Sequence, residues 1–195
     1  MKILLLVGND KLGRRFIHSI NNSKYLIVID KSSSLKRVMK LVLKRVINLS
    51  LVFKMLLAEI LRKDTMLPVE FDAIHSNNEL LELIKKNNVS KVVIFRGGLI
   101  INKKLLSQGI DILNIHCAKI PEYGGLGVIQ RALDDQKYEQ EATLYKITEK
   151  IDDGEVIATK KYTLNPKESY KFNEDLAYDT GILLFRQEFD HKNNV

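Results

Sequence analysis

Cysteine is almost absent. One residue, Cys117, serves 195 positions, so no internal disulfide can form and no cysteine-rich metal site can be built. The apolar run at 3–7 is too short for a secretory signal, lacks a small-residue cleavage site and stops at the turn Gly8-Asn9-Asp10. It reads instead as a buried strand. The chain also lacks internal repeats and low-complexity linkers. With 45% apolar and 28% charged residues, it has the make-up of a globular protein, and a reducing cytoplasm is the expected compartment. Its length suits one domain with a good core, over 1–190, followed by a frayed tail at 191–195.

Acidic residues are scarce in one stretch. Between 31 and 63 stand nine basic side chains (Lys31, Lys36, Arg37, Lys40, Lys44, Arg45, Lys54, Arg62 and Lys63) against one acid, Glu59. That stretch accounts for the net charge of +7, so the basic character is local. Phe53 is its only aromatic residue, which argues against a stacking surface for nucleic acid. At about 100° per residue, the charged side chains from Lys36 to Arg62 fall in one half-circle. The other half holds Leu35, Val38, Met39, Val42, Leu43, Val46, Leu49, Phe53, Leu56, Leu57, Ile60 and Leu61. Such amphipathicity predicts one or two helices over 35–62, laid on a sheet by the apolar face. Lys44, Arg45 and Lys54 exclude a membrane span. A sharper reading is a surface that attracts anionic lipid or a nucleotide diphosphate.

The rest of the chain alternates strands and helices. Strands are predicted at 2–7, 25–30, 91–96, 111–116, 142–148 and 156–164. Helices are predicted at 11–22, 78–88, 124–135 and 168–189. β-rich apolar runs bounded by glycine, with helices between, predict an α/β fold with a mostly parallel central sheet. Ligands then gather at the carboxyl ends of the strands.

The chemistry-bearing residues lie between 95 and 155. Strand alternation puts Asn114 and His116 on one face at a strand end. About 35 residues later, Asp152 sits in the turn Asp152-Asp153-Gly154. An amide donor can stabilise an oxyanion. An imidazole can move protons near neutral pH, and a carboxylate can orient it. Together they suit acyl transfer to an amine, although taken alone a histidine at a strand end is more often structural than catalytic and Asp-Asp-Gly is usually a turn.

The run Asn114-Ile115-His116-Cys117-Ala118-Lys119-Ile120-Pro121-Glu122-Tyr123-Gly124-Gly125, followed by Gln130-Arg131 and by Ile151-Asp152-Asp153-Gly154, resembles the signature of the folate-dependent formyltransferases. That family reads roughly N-x-H-x-S-x-L-P-x-Y-x-G, then L-D-x-G. Ala118 and Ile120 depart from it. The resemblance covers 90–165 well and the first strand loosely. It implies a Rossmann-like formyltransferase fold, 10-formyltetrahydrofolate as donor, direct attack through a tetrahedral intermediate, and no metal. It assigns catalysis to Asn114, His116 and Asp152. It puts Phe95, Arg96, Gly97, Gly98, Leu99, Thr148 and Ile151 around the cofactor, and Gly8, Asn9, Lys11, Tyr123, Gly124 and Gln130 at the acceptor, which would enter past 8–11 and 121–125.

The acceptor is read as a nucleotide-linked amino sugar of polysaccharide biosynthesis, because the long basic insert is similar to inserts in enzymes of that branch. The alternatives are a glycinamide ribonucleotide formyltransferase of purine synthesis and a non-catalytic α/β binding protein with a relict site. Glycinamide ribonucleotide enzymes hold a phosphate at a G-x-G-S-N type first loop, whereas this chain has no Ser-Asn there and places Asp10 instead. Methionyl-tRNA formyltransferases share the core but carry a further C-terminal domain. A homodimer, weak association of the basic helix with a membrane surface, and no nucleic-acid partner complete the expectations.

Overall fold

A computed structural model describes residues 2–33, 38, 42–43, 47–67 and 69–190. The expected helical stretch around Lys36, Lys40, Lys44 and Arg45 and the expected tail at 191–195 lie largely outside them. Seven strands form one sheet: β1 (Ile3–Gly8), β2 (Leu26–Asp30), β3 (Asp72–Ile74), β4 (Lys91–Phe95), β5 (Asp111–His116), β6 (Glu139–Lys146) and β7 (Val156–Thr163). Their spatial order is β3-β2-β1-β4-β5-β6-β7. The first five run parallel, and β6 and β7 close the sheet antiparallel.

β1 is buried along its whole length. Helices cover both faces of the parallel part, which is why its strands are near-continuous apolar runs. On one face, Leu5, Val7, Val93, Phe95, Leu113 and Ile115 pack with Phe16 and Ile17 of α1 (Lys11–Ser19) and Ile182 and Phe185 of α6 (Tyr170–Phe185). On the other, Leu4, Leu6, Val92, Ile94 and Ile112 pack with Leu80, Leu81 and Ile84 of α3 (Asn77–Asn87) and Leu105 of α4 (Lys103–Leu106). Each such side chain contributes about 1.5–3 kcal/mol on burial.

Local chemistry sets the ends. Asp10 caps α1 by accepting from Gly13 N at 2.8 Å. Ser76 and Glu79 form a capping box on α3, with Glu79 accepting from His75 N, and Asn88 ends that helix in the left-handed region at φ 52. Two expectations shift. The helix expected from 124 starts only at α5 (Val128–Asp134), because 121–127 is a loop that ends on the left-handed Gly127. The last helix stops at Phe185 and passes into a π-turn over Arg186–Asp190. The short β3 and α4 carry too little pattern to be foreseen.

The described part of the insert is α2 (Leu49–Leu61), and its orientation corrects the wheel. Its inward residues are Leu51 and Ala58, and Leu51 lies over Gly127, where a Cβ would come within 2.4 Å of Leu51 Cδ2. Within α2, the residues of the apolar half expected to cover the sheet, Leu49, Phe53, Leu56, Leu57, Ile60 and Leu61, are exposed instead.

Candidate active site

β5 ends at the carboxyl edge of the sheet. Leu113 and Ile115 point into the core beneath α1 and α6, so the alternating Asn114 and His116 share the opposite face, both half-buried. The antiparallel neighbour β6 sets Tyr145 across from Asn114 and Thr143 across from His116. Loop 147–155 then returns over this edge. Gly154 lets it close, because a Cβ there would meet Lys146 O at 1.7 Å. That return sets Asp152, with φ 49, above the pair.

Three elements converge on the Asp152 carboxylate. Tyr145 OH donates to Oδ1 at 2.5 Å, and Gly125 N donates to Oδ2 at 2.6 Å. His116 Nδ1 stands 3.7 Å from Oδ2, and the two side chains are 12% and 11% exposed. Gly124 packs closely, since a Cβ there would come to 3.0 Å from Asp152 Cβ, and Gly125 takes a left-handed φ of 82 that turns its N–H to the carboxylate. His116 Nε2 lies 2.7 Å from Tyr123 O. A carbonyl only accepts, so Nε2 carries a proton and Nδ1 is the atom turned toward Asp152.

Burial, and then the Asp152 charge, push the Tyr145 phenol well above its usual range. It therefore remains a neutral donor to Asp152. Its oxygen accepts from Asn114 Nδ2 at 3.1 Å, which fixes the amide's orientation and leaves one Nδ2 proton and Oδ1 for other partners. Amide, phenol, carboxylate and imidazole thus form one connected group. Sequence reasoning missed Tyr145, whose only signal was its register opposite Asn114.

The two loops expected around the cofactor flank this edge. Leu99, Ile101 and Ile147 join the same apolar cluster, and Lys103 Nζ pairs with Glu149 Oε2 at 2.8 Å across the loops. Ile151 and Ile100 are exposed. Thr148 Oγ1 turns back on Lys150 at 3.3 Å. Several of the residues expected at the cofactor are engaged within the protein. The Phe95 side chain is fully buried and stacks on Phe16 at 4.2 Å, on the far face of the sheet. Arg96 pairs with Asp10 and Glu174 and lies 4.4 Å above the Tyr178 ring. The backbone N–H groups of Gly98 and Leu99, expected to meet the pterin, donate to Asp30 Oδ2 at 2.6 and 2.8 Å. Gly97 packs against Ile94. Asp30 is a second residue that sequence reasoning missed, and it tethers this loop.

On the expected acceptor side, Lys11 is committed to α2. Its N donates to Glu59 Oε1 at 2.8 Å, and its Nζ to Ile60 O and Arg62 O. Gln130 accepts from Lys54 Nζ at 2.9 Å. α2 thus bridges 8–11 and 127–130, across the expected acceptor route. Gly8 is buried against Arg96, whereas Asn9 is exposed. The Tyr123 ring is buried, with its OH 3.1 Å from Asp135, and Arg131 donates to Gly124 O. Among the described residues, no group of three or more His, Cys, Asp and Glu is placed to hold a metal.

A half-buried amide, imidazole and carboxylate on one sheet edge suit acyl transfer. The chain belongs to the formyl transferase family, whose model matches residues 28–181. It is 33% identical over 90 residues to the methionyl-tRNA formyltransferase of Caldicellulosiruptor saccharolyticus, an alignment covering 46% of this chain and 29% of that protein. The chain thus spans roughly a third of the length of the curated relatives it matches. Among solved structures, phosphoribosylglycinamide formyltransferase from Streptococcus pneumoniae superposes with TM-score 0.65 at 18% identity, covering 99% of each chain. A Mycobacterium tuberculosis protein described as a candidate sugar N-formyltransferase gives 0.67 at 14%, covering 97% of this chain and 66% of that one. These two share the fold.

Proposed function

We propose that this protein transfers the formyl group of 10-formyltetrahydrofolate to the amine of a nucleotide-linked amino sugar. The observation that carries the transfer is the connected group Asn114–Tyr145–Asp152 with His116 facing the same carboxylate. The remaining Asn114 Nδ2 proton donates to the oxygen of the formyl group as charge develops on it. His116, held through Nε2–H on Tyr123 O with Nδ1 facing Asp152, would take the proton of the attacking amine at Nδ1 and pass it to N10 of the folate as the bond from the formyl carbon to N10 breaks. Asp152 orients His116 and stabilises its cationic form. Tyr145 is a positioning residue that fixes Asn114 and Asp152 through one neutral hydroxyl. The donor, when bound, supplies an activated formyl carbon. Its flat ring fits between 97–101 and 147–152, where Leu99, Ile100 and Ile151 offer apolar surface.

The sugar assignment is supported by the first turn. Asp10 and Glu59 already occupy the N–H groups at the start of α1, and Asp10 adds negative charge where a ribotide phosphate would have to sit. The test is a screen of nucleotide-linked amino sugars, glycinamide ribonucleotide and methionyl-tRNA with 10-formyltetrahydrofolate, read by mass. Gain of one formyl group on an amino sugar is expected. Gain only on glycinamide ribonucleotide or tRNA would replace the acceptor, and no gain on any would overturn the activity.

A further inference from the structure

One loop touches the reactive group at two backbone atoms. Tyr123 O lies 2.7 Å from His116 Nε2, and Gly125 N donates to Asp152 Oδ2 at 2.6 Å. Between these two atoms stands the Gly124–Gly125 peptide. Its N–H is the one that Asp152 accepts from, and its carbonyl, Gly124 O, accepts from Arg131 Nη2 of α5. A peptide unit is planar, so its carbonyl and its N–H point to opposite sides of one rigid plate. Whatever holds the carbonyl also aims the N–H. The plate is flanked by two glycines, where no Cβ opposes rotation of the backbone, and Gly125 sits at φ 82. An added Cβ at Gly125 would meet nothing within 4 Å, so its α-carbon borders open space. Turned over, the plate would set Gly124 O against the Asp152 carboxylate, oxygen facing oxygen.

We propose that Arg131 is a positioning residue for the reactive group: its guanidinium holds the Gly124–Gly125 peptide in the orientation that gives the Gly125 N–H to Asp152. The consequence for turnover rests on the formyl-transfer reading above, whereas the consequence for the peptide does not. A cationic donor on the carbonyl also polarises the peptide and strengthens its N–H as a donor to a carboxylate, because hydrogen bonds in a chain reinforce one another. Asp152 held in this way keeps Oδ2 at 3.7 Å from His116 Nδ1 and Oδ1 on the Tyr145 hydroxyl. Arg131 is itself kept over the loop. Its N donates to Gly127 O at 3.1 Å, in the first turn of α5. Its Cζ lies 6.0 Å from the centroid of the Tyr123 ring, within reach of a cation–π contact, and the Tyr123 hydroxyl is tied to Asp135 at 3.1 Å. α5 thus holds both ends of the loop segment that carries Tyr123 O and Gly125 N.

The test reads the peptide first and the reaction second. NMR of the whole chain labelled with nitrogen-15 follows the Gly125 amide with no donor or acceptor added. In Arg131→Ala its proton should move upfield and exchange with solvent roughly ten- to a hundredfold faster, as for one lost hydrogen bond to a charged group. Arg131→Lys can still donate to Gly124 O and should keep most of the protection. Asp152→Ala should move the same signal, which identifies the bond being read. The amides of Ala132 and Leu133 should stay in place, because the Arg131 side chain is exposed and α5 does not depend on it. In the formylation assay Arg131→Ala should lower kcat roughly ten- to a hundredfold with the Michaelis constant little changed, and Arg131→Lys should recover most of the loss. A Gly125 amide that ignores Arg131→Ala overturns the inference, as does near-normal turnover in that variant. Loss of the Ala132 and Leu133 signals together with that of Gly125 also overturns it, by making Arg131 a support of the helix instead. A protein that shows the expected amide changes but formylates no acceptor supports the hold on the peptide and overturns the activity alone.

Discussion

Two clusters of polar side chains stand at the carboxyl edge of the sheet. One joins Arg62 of the α2 end to Glu174 and Asp175 of α6, and Arg96 after β4 to Asp10 and Glu174. Arg62 and Glu174 are almost completely buried, and the Arg62 guanidinium pairs with Glu59, Glu174 and Asp175. The other joins Asn114, Tyr145, Asp152 and His116. It has no permanent cation, it uses a neutral phenol as its link, and it leaves an amide proton uncommitted, with His116 Nδ1 facing Asp152 at 3.7 Å. A charge-paired network ties α2 and α6 to the end of β4. A partly paired one, held rigid by that frame, keeps free groups aimed at a common point. The difference separates structural from reactive polarity more clearly than residue type does.

Breaking the reactive cluster should have the largest effect. His116→Ala or Asp152→Ala is expected to lower turnover by about two to four orders of magnitude with an unchanged circular dichroism spectrum. Near-normal turnover in either variant removes that residue from the mechanism. Breaking the paired cluster should act on stability instead. Glu174→Ala leaves two buried guanidinium groups short of a partner and is expected to cost about 3–5 kcal/mol in urea unfolding, while the folded fraction stays active. A loss under about 1 kcal/mol would mean that the network is solvated.

Tyr145→Phe sharpens the boundary between the two. It keeps the ring and removes one hydroxyl that touches both Asn114 and Asp152. Turnover should fall roughly ten- to a hundredfold, as for a lost hydrogen bond to a charged group, with the Michaelis constant little changed. A change confined to the Michaelis constant would give Tyr145 a binding role. The smallest effect concerns pH. Burial holds Tyr25, Tyr145, Tyr162, Tyr170 and Tyr178 above the ordinary phenol value of 10.0. A raised folded value contributes stability below pH 10 that is lost as pH rises further. Tyrosinate absorbance should therefore appear late and together with unfolding. Gradual titration of the native protein near pH 10 would show these rings to be open to water.

The parallel strands were legible because continuous apolar runs such as Leu4–Val7 and Val92–Phe95 have few other uses. Asn114, His116 and Asp152 were legible as a spaced pattern, and alternation placed the first two on one face. Tyr145 was not, because cross-strand register depends on how β6 returns and no local pattern states it. Asp30 was hidden inside a strand-like run, although its carboxylate shapes a loop almost seventy residues away. Phe95 was expected at the cofactor, whereas its side chain is the last inward residue of β4 and is stacked on Phe16. For α2, periodicity established that the helix has two faces but not which one docks. Small residues at the contact, Ala58 against the frame and Gly127 under Leu51, decided that.

The account rests most directly on where the formyl donor lies relative to the Asn114–Tyr145–Asp152 group. A crystal of the protein soaked with a non-hydrolysable 10-formyltetrahydrofolate analogue measures it. The ring is predicted between 97–101 and 147–152, with N10 about 3 Å from the Asn114 amide or the His116 imidazole. A ring bound elsewhere, or an analogue whose N10 faces neither residue, would contradict the account.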